Sequence, residues 1–178
     1  MNNTTQIDAK LLEKVKQYVA DNYIDGVDDE DSICDPFLCE NISDLEINYT
    51  TFEAPSRLEN IDARMDDTWQ ESVFNLIDKK EYSDPEVYKR ASISKQTFSK
   101  IRCDVYYQPN KDTAIQMCIG LKLNLDETLD LMEKAGYTLS RSIKRDIVVK
   151  YFIKEKIYKM DELNIALYNM NLKLFPIN

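Results

Sequence analysis

Apolar residues recur along most of this chain at spacings of three and four, the period of an α-helix laid on a core. The first stripe is Ile7, Leu11, Leu12, Val15, Tyr18, Val19 and Tyr23, and it predicts a helix that stops near Gly26. Trp69, Val73, Phe74, Leu76 and Ile77 begin a second series. Ser83-Asp84-Pro85 reads as a helix start, with Asp84 as cap and Pro85 suited to the first turn, and the short helix carries Val87, Tyr88 and Ala91. In the break Ser92-Ile93-Ser94 that follows, Ser94 is placed to cap a helix from Lys95 to about Cys103 that turns Phe98 and Ile101 inward. Lys111 to Leu123 resumes the stripe at Ala114, Ile115, Cys118, Ile119 and Leu121. Asn124 or Asp126 then caps a helix with Leu129, Leu131, Met132 and Ala135, stopped by Gly136. Two more helices follow, at about 142–156 with Ile143, Ile147, Val148, Tyr151 and Phe152, and at about 161–172 with Leu163, Ala166, Leu167 and Met170.

Residues 45–52 alone alternate in the strand period, and no second strand exists to pair with them. They read as an ordered connecting segment or an extended arm, and residues 56–67 as a short helix or linker. The pattern therefore predicts an all-α bundle of five to seven helices, with an acidic N-terminal helix and an extended arm. Each apolar stripe is accounted for by core packing.

Composition removes most enzyme chemistry. The 178 residues include no histidine and three glycines, at 26, 120 and 136. There is thus no Ser-His or Cys-His pair, no HExxH zinc site, and no glycine-rich loop to wrap a phosphate. Asp28-Asp29-Glu30-Asp31 lacks the alternation and the following glycine of a calcium loop and reads as a solvated charge run. Cys34, Cys39, Cys103 and Cys118 are spaced too irregularly for a zinc clamp and read as free thiols. No apolar run approaches the roughly 20 residues of a bilayer span, and the start MNNTTQIDAK has neither a basic nor an apolar signal region. The expectation is a cytoplasmic protein that is not an enzyme and carries no cofactor or metal.

Charge divides the chain. The net charge is −9, yet residues 1–68 hold 17 Asp/Glu against 5 Lys/Arg, and residues 69–178 hold 15 against 18. This −12 and +3 split predicts an acidic N-terminal regulatory or partner-binding segment, 1–68, and a helical domain, 69–178. The acidic average does not exclude nucleic acid as a ligand of the second part.

Within that part, Val87, Ile93, Phe98 and Ile101, with the run Ser94-Lys95-Gln96-Thr97-Phe98-Ser99, resemble the lambda-repressor-like, Cro/Xre-type helix-turn-helix domain. Gln108-Pro109-Asn110-Lys111-Asp112-Thr113 and the stretch from Ala114 to Leu125 are similar to that family's following loop and fourth helix. Residues 69–136 would supply all five helices, and the run to about Phe152 is similar to an uncharacterised Xre-like tail domain of bacterial proteins. The chain departs from the pattern at Tyr88, where a small residue is usual, at Ser92, where glycine is usual, and at Asp84, where a glutamine commonly meets phosphate.

The resemblance implies double-stranded DNA as ligand, with helix 95–103 in the major groove. On the matched positions the contacting residues would be Ser94, Lys95, Gln96, Ser99 and Lys100, with Arg102, Lys111 and Lys89 or Arg90 as phosphate neighbours. It implies a transcriptional regulator, acting as a homodimer. The acidic segment would dimerise, regulate, or cover the basic helix. The alternative is a non-enzymatic interaction or inhibitor protein that grips a protein partner with its helical scaffold and acidic surface.

Overall fold

The computed structural model describes residues 9–24 and 67–177. Among the described residues there are eight α-helices and no strand, so the all-α expectation holds. They are α1 (Ala9–Asn22), α2 (Trp69–Lys79), α3 (Asp84–Arg90), α4 (Lys95–Cys103), α5 (Lys111–Gly120), α6 (Leu125–Lys134), α7 (Lys144–Lys154) and α8 (Met160–Asn169). The proposed arm at 45–52, the helix or linker at 56–66, the stop at Gly26 and the acidic run 28–31 lie outside the described residues.

Two helices form the centre. Every residue of α5 from Thr113 to Gly120 is buried, not only the predicted stripe, and α7 buries Asp146 to Val149 and Tyr151 to Ile153. A helix enclosed on all sides needs other helices around it. Here α3 and α6 pack on α5, and α1, α6 and α8 pack on α7. The polar Gln116, 2% exposed, is accommodated because its Nε2 donates to the Pro176 carbonyl at 2.8 Å. That bond ties down a C-terminal tail whose Phe175 is buried and bracketed by the Asn164 amide, which donates to the Phe175 carbonyl and accepts from its N–H.

Helix α1 belongs to this body. Val15 and Val19 are buried, and the Tyr18 ring lies 5.1 Å from that of Tyr151 on α7. The compact helical unit thus draws on both sides of residue 68, taking in the described residues 9–24 along with 67–177.

The helix ends show how the chain manages with three glycines. After α2, α3, α5, α6, α7 and α8 one residue takes a positive φ: Glu81, Ser92, Lys122, Gly136, Lys156 and Asn171. In each case the next N–H, of Tyr82, Ile93, Leu123, Tyr137, Ile157 and Leu172, bonds a carbonyl five residues back and an apolar side chain folds under the helix. This is the Schellman closure, in which glycine is the usual left-handed residue. Only one of the six uses it, Asn171 is of the other type that adopts this conformation readily, and Glu81, Ser92, Lys122 and Lys156 each carry roughly 1–2 kcal/mol of strain. Ser92 fills the turn between α3 and α4 at φ 53°, so that turn closes without glycine.

At the starts, Thr68, Ser94, Asn110 and Asn124 accept from the N–H three residues on, and Asn124 rather than Asp126 caps α6. Asp84 is not the cap of α3. Ser83 occupies that position, and Asp84, the first helical residue, spends its carboxylate elsewhere. Ile143 and Leu129, expected in the core, are 45% and 38% exposed, Ile143 because it caps α7 ahead of the first inward turn.

Candidate nucleic-acid interface

Helix α4 is oriented by the residues it buries. Phe98 lies edge-on to Phe74 of α2 at 5.9 Å and against Tyr88 of α3 at 5.7 Å, while Ile101 is fully buried. Tyr88 thus fills the α3–α4 crossing with an aromatic contact. With positions 98 and 101 inward, positions 95, 96, 99 and 100 share the opposite face. Lys95, Gln96, Ser99 and Lys100 are all exposed there. Two cations, an amide and a hydroxyl on one face form a donor-rich surface suited to phosphate and to base edges.

Of the remaining expected contacts, Ser94, Arg102, Lys111 and Arg90 are engaged within the fold. The Ser94 Oγ accepts from the Thr97 N–H at 3.1 Å and lies 2.9 Å from the Thr97 hydroxyl, so Ser94 serves its own helix. Arg102, at the end of α4, donates to Asp84 at 2.6 Å and lies with its guanidinium 4.5 Å from the centre of the Phe74 ring. The Arg102 carbonyl accepts from Gln70 at 3.2 Å. Arg90 pairs with Glu86 and covers the Tyr82 ring, whereas Lys89 is exposed.

Lys111 stands apart from the α4 face. Its Nζ lies 2.6 Å from Asp146 of α7, whose side chain is 3% exposed and also accepts the Ser140 N–H. A carboxylate so enclosed needs a partner, and Lys111 is that partner. The neighbouring pair is reversed: Asp112 of α5 takes Arg145 of α7 at 2.6 Å. These reciprocal pairs join the starts of the two central helices. Within the fold Lys111 is thus the ion-pair partner of Asp146.

The structure brings together Lys95, Gln96, Ser99 and Lys100, with Arg102 at the edge. The sequence pattern carries no sign of the Gln70 and Phe74 supports, which act across 32 and 28 positions. A groove of about 310 Å³ beside Arg102 is lined by Asp67, Gln70, Glu71, Phe74 and Asn75. Among the described residues no group of three His, Cys, Asp or Glu side chains is placed to hold a metal. Cys103 is exposed, and burial pushes the Cys118 thiol up to about 12, which leaves it protonated and inert. Cys34 and Cys39 lie outside the described residues. No described helix is long and apolar enough to cross a membrane.

No protein-family model matches the chain, and neither a curated protein nor a solved structure matches it.

Proposed function

We propose that this chain is a DNA-binding helix-turn-helix protein, a transcriptional regulator that lays α4 in the major groove of duplex DNA and acts as a homodimer. The observation that carries the reading is the two-sided character of α4. Its inner face is locked by Phe98 and Ile101, and its outer face presents Lys95, Gln96, Ser99 and Lys100 together. Lys95 and Lys100 supply charge, while Gln96 and Ser99 supply donors and acceptors at the spacing of one helix face. In this reading the protein is not an enzyme and needs no cofactor or metal.

The test is a titration of fluorescent duplex by anisotropy between about 50 and 200 mM KCl. Affinity should fall steeply with salt, and Lys95→Ala with Lys100→Ala should reduce the log–log slope by about 1.8 per bound subunit, about 3.6 for a dimer, at roughly 0.9 for each phosphate no longer neutralised. An absence of binding at the low-salt end refutes the reading. Sedimentation of the free protein and of the complex tests the dimer.

A second reading is favoured by one observation, the pairing of Arg102 with Asp84 at the margin of that face. Under it the chain is an interaction or inhibitor protein that meets a protein partner through its scaffold and the acidic residues of 1–68. A flat response to salt with no duplex binding is the outcome it requires.

A further inference from the structure

We infer that Asp84 is an affinity-setting residue, holding Arg102 out of the set of cations offered to a polyanion; this rests on the proposed DNA binding. Arg102 is well placed for such a role. Its guanidinium is steadied on the Phe74 ring, its backbone is held by Gln70, and its side chain is 52% exposed at the end of the α4 face. A cation so oriented on an aromatic face has lost much of the freedom that a surface lysine keeps, and ordering it on a ligand costs little.

Its charge is nonetheless cancelled. The Asp84 carboxylate lies 2.6 Å from the guanidinium and is itself 36% exposed, so an anion approaching Arg102 also meets Asp84. Two further carboxylates, Asp67 and Glu71, line the adjoining groove. Each of these is occupied locally: Glu71 accepts from the Thr68 N–H and hydroxyl, and Asp67 accepts from Asn75. Asp84 alone among them pairs with Arg102. As the first residue of α3 it makes no capping bond to its own helix, so the fold gives its carboxylate this one partner among the described residues.

A half-exposed pair of this kind adds little to stability, typically about 0–1 kcal/mol. Its consequence falls on binding. Wild-type protein engages duplex with Lys95 and Lys100, and Arg102 remains with Asp84. Removing the carboxylate adds one cation to the bound set.

The experiment compares wild type, Asp84→Asn, Arg102→Ala and the double variant in the same anisotropy titration, with circular dichroism melts to confirm folding. Asp84→Asn should bind more tightly at low salt and steepen the log–log slope by about 0.9 per bound subunit, about 1.8 for a dimer. Its advantage over wild type should be about 12-fold greater at about 50 than at about 200 mM for a bound dimer, the value for one more neutralised phosphate per subunit, and about 3.5-fold if a single subunit engages the duplex. Arg102→Ala alone should change affinity little, and in the double variant it should abolish the gain. Wild-type affinity and slope in Asp84→Asn, or a gain that persists without Arg102, would overturn the inference while leaving DNA binding intact. Absence of salt-dependent binding by wild type and all three variants overturns the proposed function, and the inference with it.

Discussion

Replacing Gly120 by alanine should destabilise the protein, although alanine is the better helix former. Gly120 ends α5 where α3 crosses it. An added Cβ would lie 2.7 Å from the Ala91 Cβ, 2.9 Å from the Val87 carbonyl oxygen and 3.1 Å from the Ala91 nitrogen. Carbon atoms in contact prefer about 3.5–4.0 Å, so the shortfall against Ala91 is about 0.8 Å or more. Two of the three obstructing atoms are backbone, and no side-chain rotation relieves them. Helix α3 would have to move, at the cost of about 1–3 kcal/mol typical of overpacking. Against this stands at most about 1 kcal/mol of helix propensity, less at a terminal position. The expected net loss is about 1–2 kcal/mol, and for a chain of this length each kcal/mol lowers Tm by about 2–4 °C. Calorimetric melts of wild type, Gly120→Ala, Ala91→Gly and the double variant provide the assay. The double variant removes the 2.7 Å contact but keeps the 2.9 Å one, so it should recover part of the loss beyond additivity. An unchanged or higher Tm for Gly120→Ala, or strict additivity, would refute the close-approach account.

Three other outcomes are expected. Lys122, exposed and at φ 51°, should tolerate glycine with a gain of about 0.5 kcal/mol or more, since relief of left-handed strain exceeds glycine's entropic cost; a lower urea midpoint for Lys122→Gly would contradict it. Burial opposes ionisation of Glu127, but the Asn124 N–H and Lys80 outweigh burial and hold its carboxyl below the usual range. A depressed carboxylate stabilises above its unfolded pKa and ceases to do so as pH falls through its folded one. Glu127→Gln keeps the capping geometry and removes the charge, so it should be less stable than wild type near neutral pH, and the gap should narrow as pH falls below the ordinary glutamate pKa of about 4.3 and close once the folded carboxyl is protonated; a pH-independent gap would count against the ion pair. Neutralising Asp28, Asp29, Glu30 and Asp31 to their amides should tighten duplex binding at low salt if the acidic span weakens it, and identical affinities would dismiss that role.

The helical pattern is legible because it is local. The limits of α4, Lys95 to about Cys103, and Ser94 as its cap can be read directly, because a capping serine and the Phe98/Ile101 spacing lie within ten residues. Helix ends are less legible: the apolar pattern carries α5 on to Leu123, because nothing in Lys122 announces a left-handed residue. The full burial of α5 is invisible for the opposite reason, since its enclosure depends on helices that approach from distant parts of the chain. The same distinction divides the site. Four exposed residues of α4 can be chosen from their helix alone. The engagement of Arg102 by Asp84 and of Lys111 by Asp146 cannot, because those partners lie 18 and 35 positions away.

The charge division looks different once α1 is placed in the core. Residues 1–24 hold three acidic and three basic side chains, so they contribute nothing to the net charge. Residues 25–66 hold 13 Asp/Glu against 2 Lys/Arg, a net of −11, and everything else in the chain sums to +2. The acidic character of the first third is thus confined to the span between α1 and α2. Truncation at residue 68 would remove that charge, but it would also strip Val15, Val19 and Tyr18 from the surface of α7. Fully burying one such apolar side chain is worth about 1.5–3 kcal/mol, a large share of the roughly 5–15 kcal/mol by which domains are stable. A truncated chain that bound DNA differently would therefore report on a damaged core as much as on the missing charge. Substitutions that exchange carboxylates for amides within 25–66, with α1 left in place, separate the two effects.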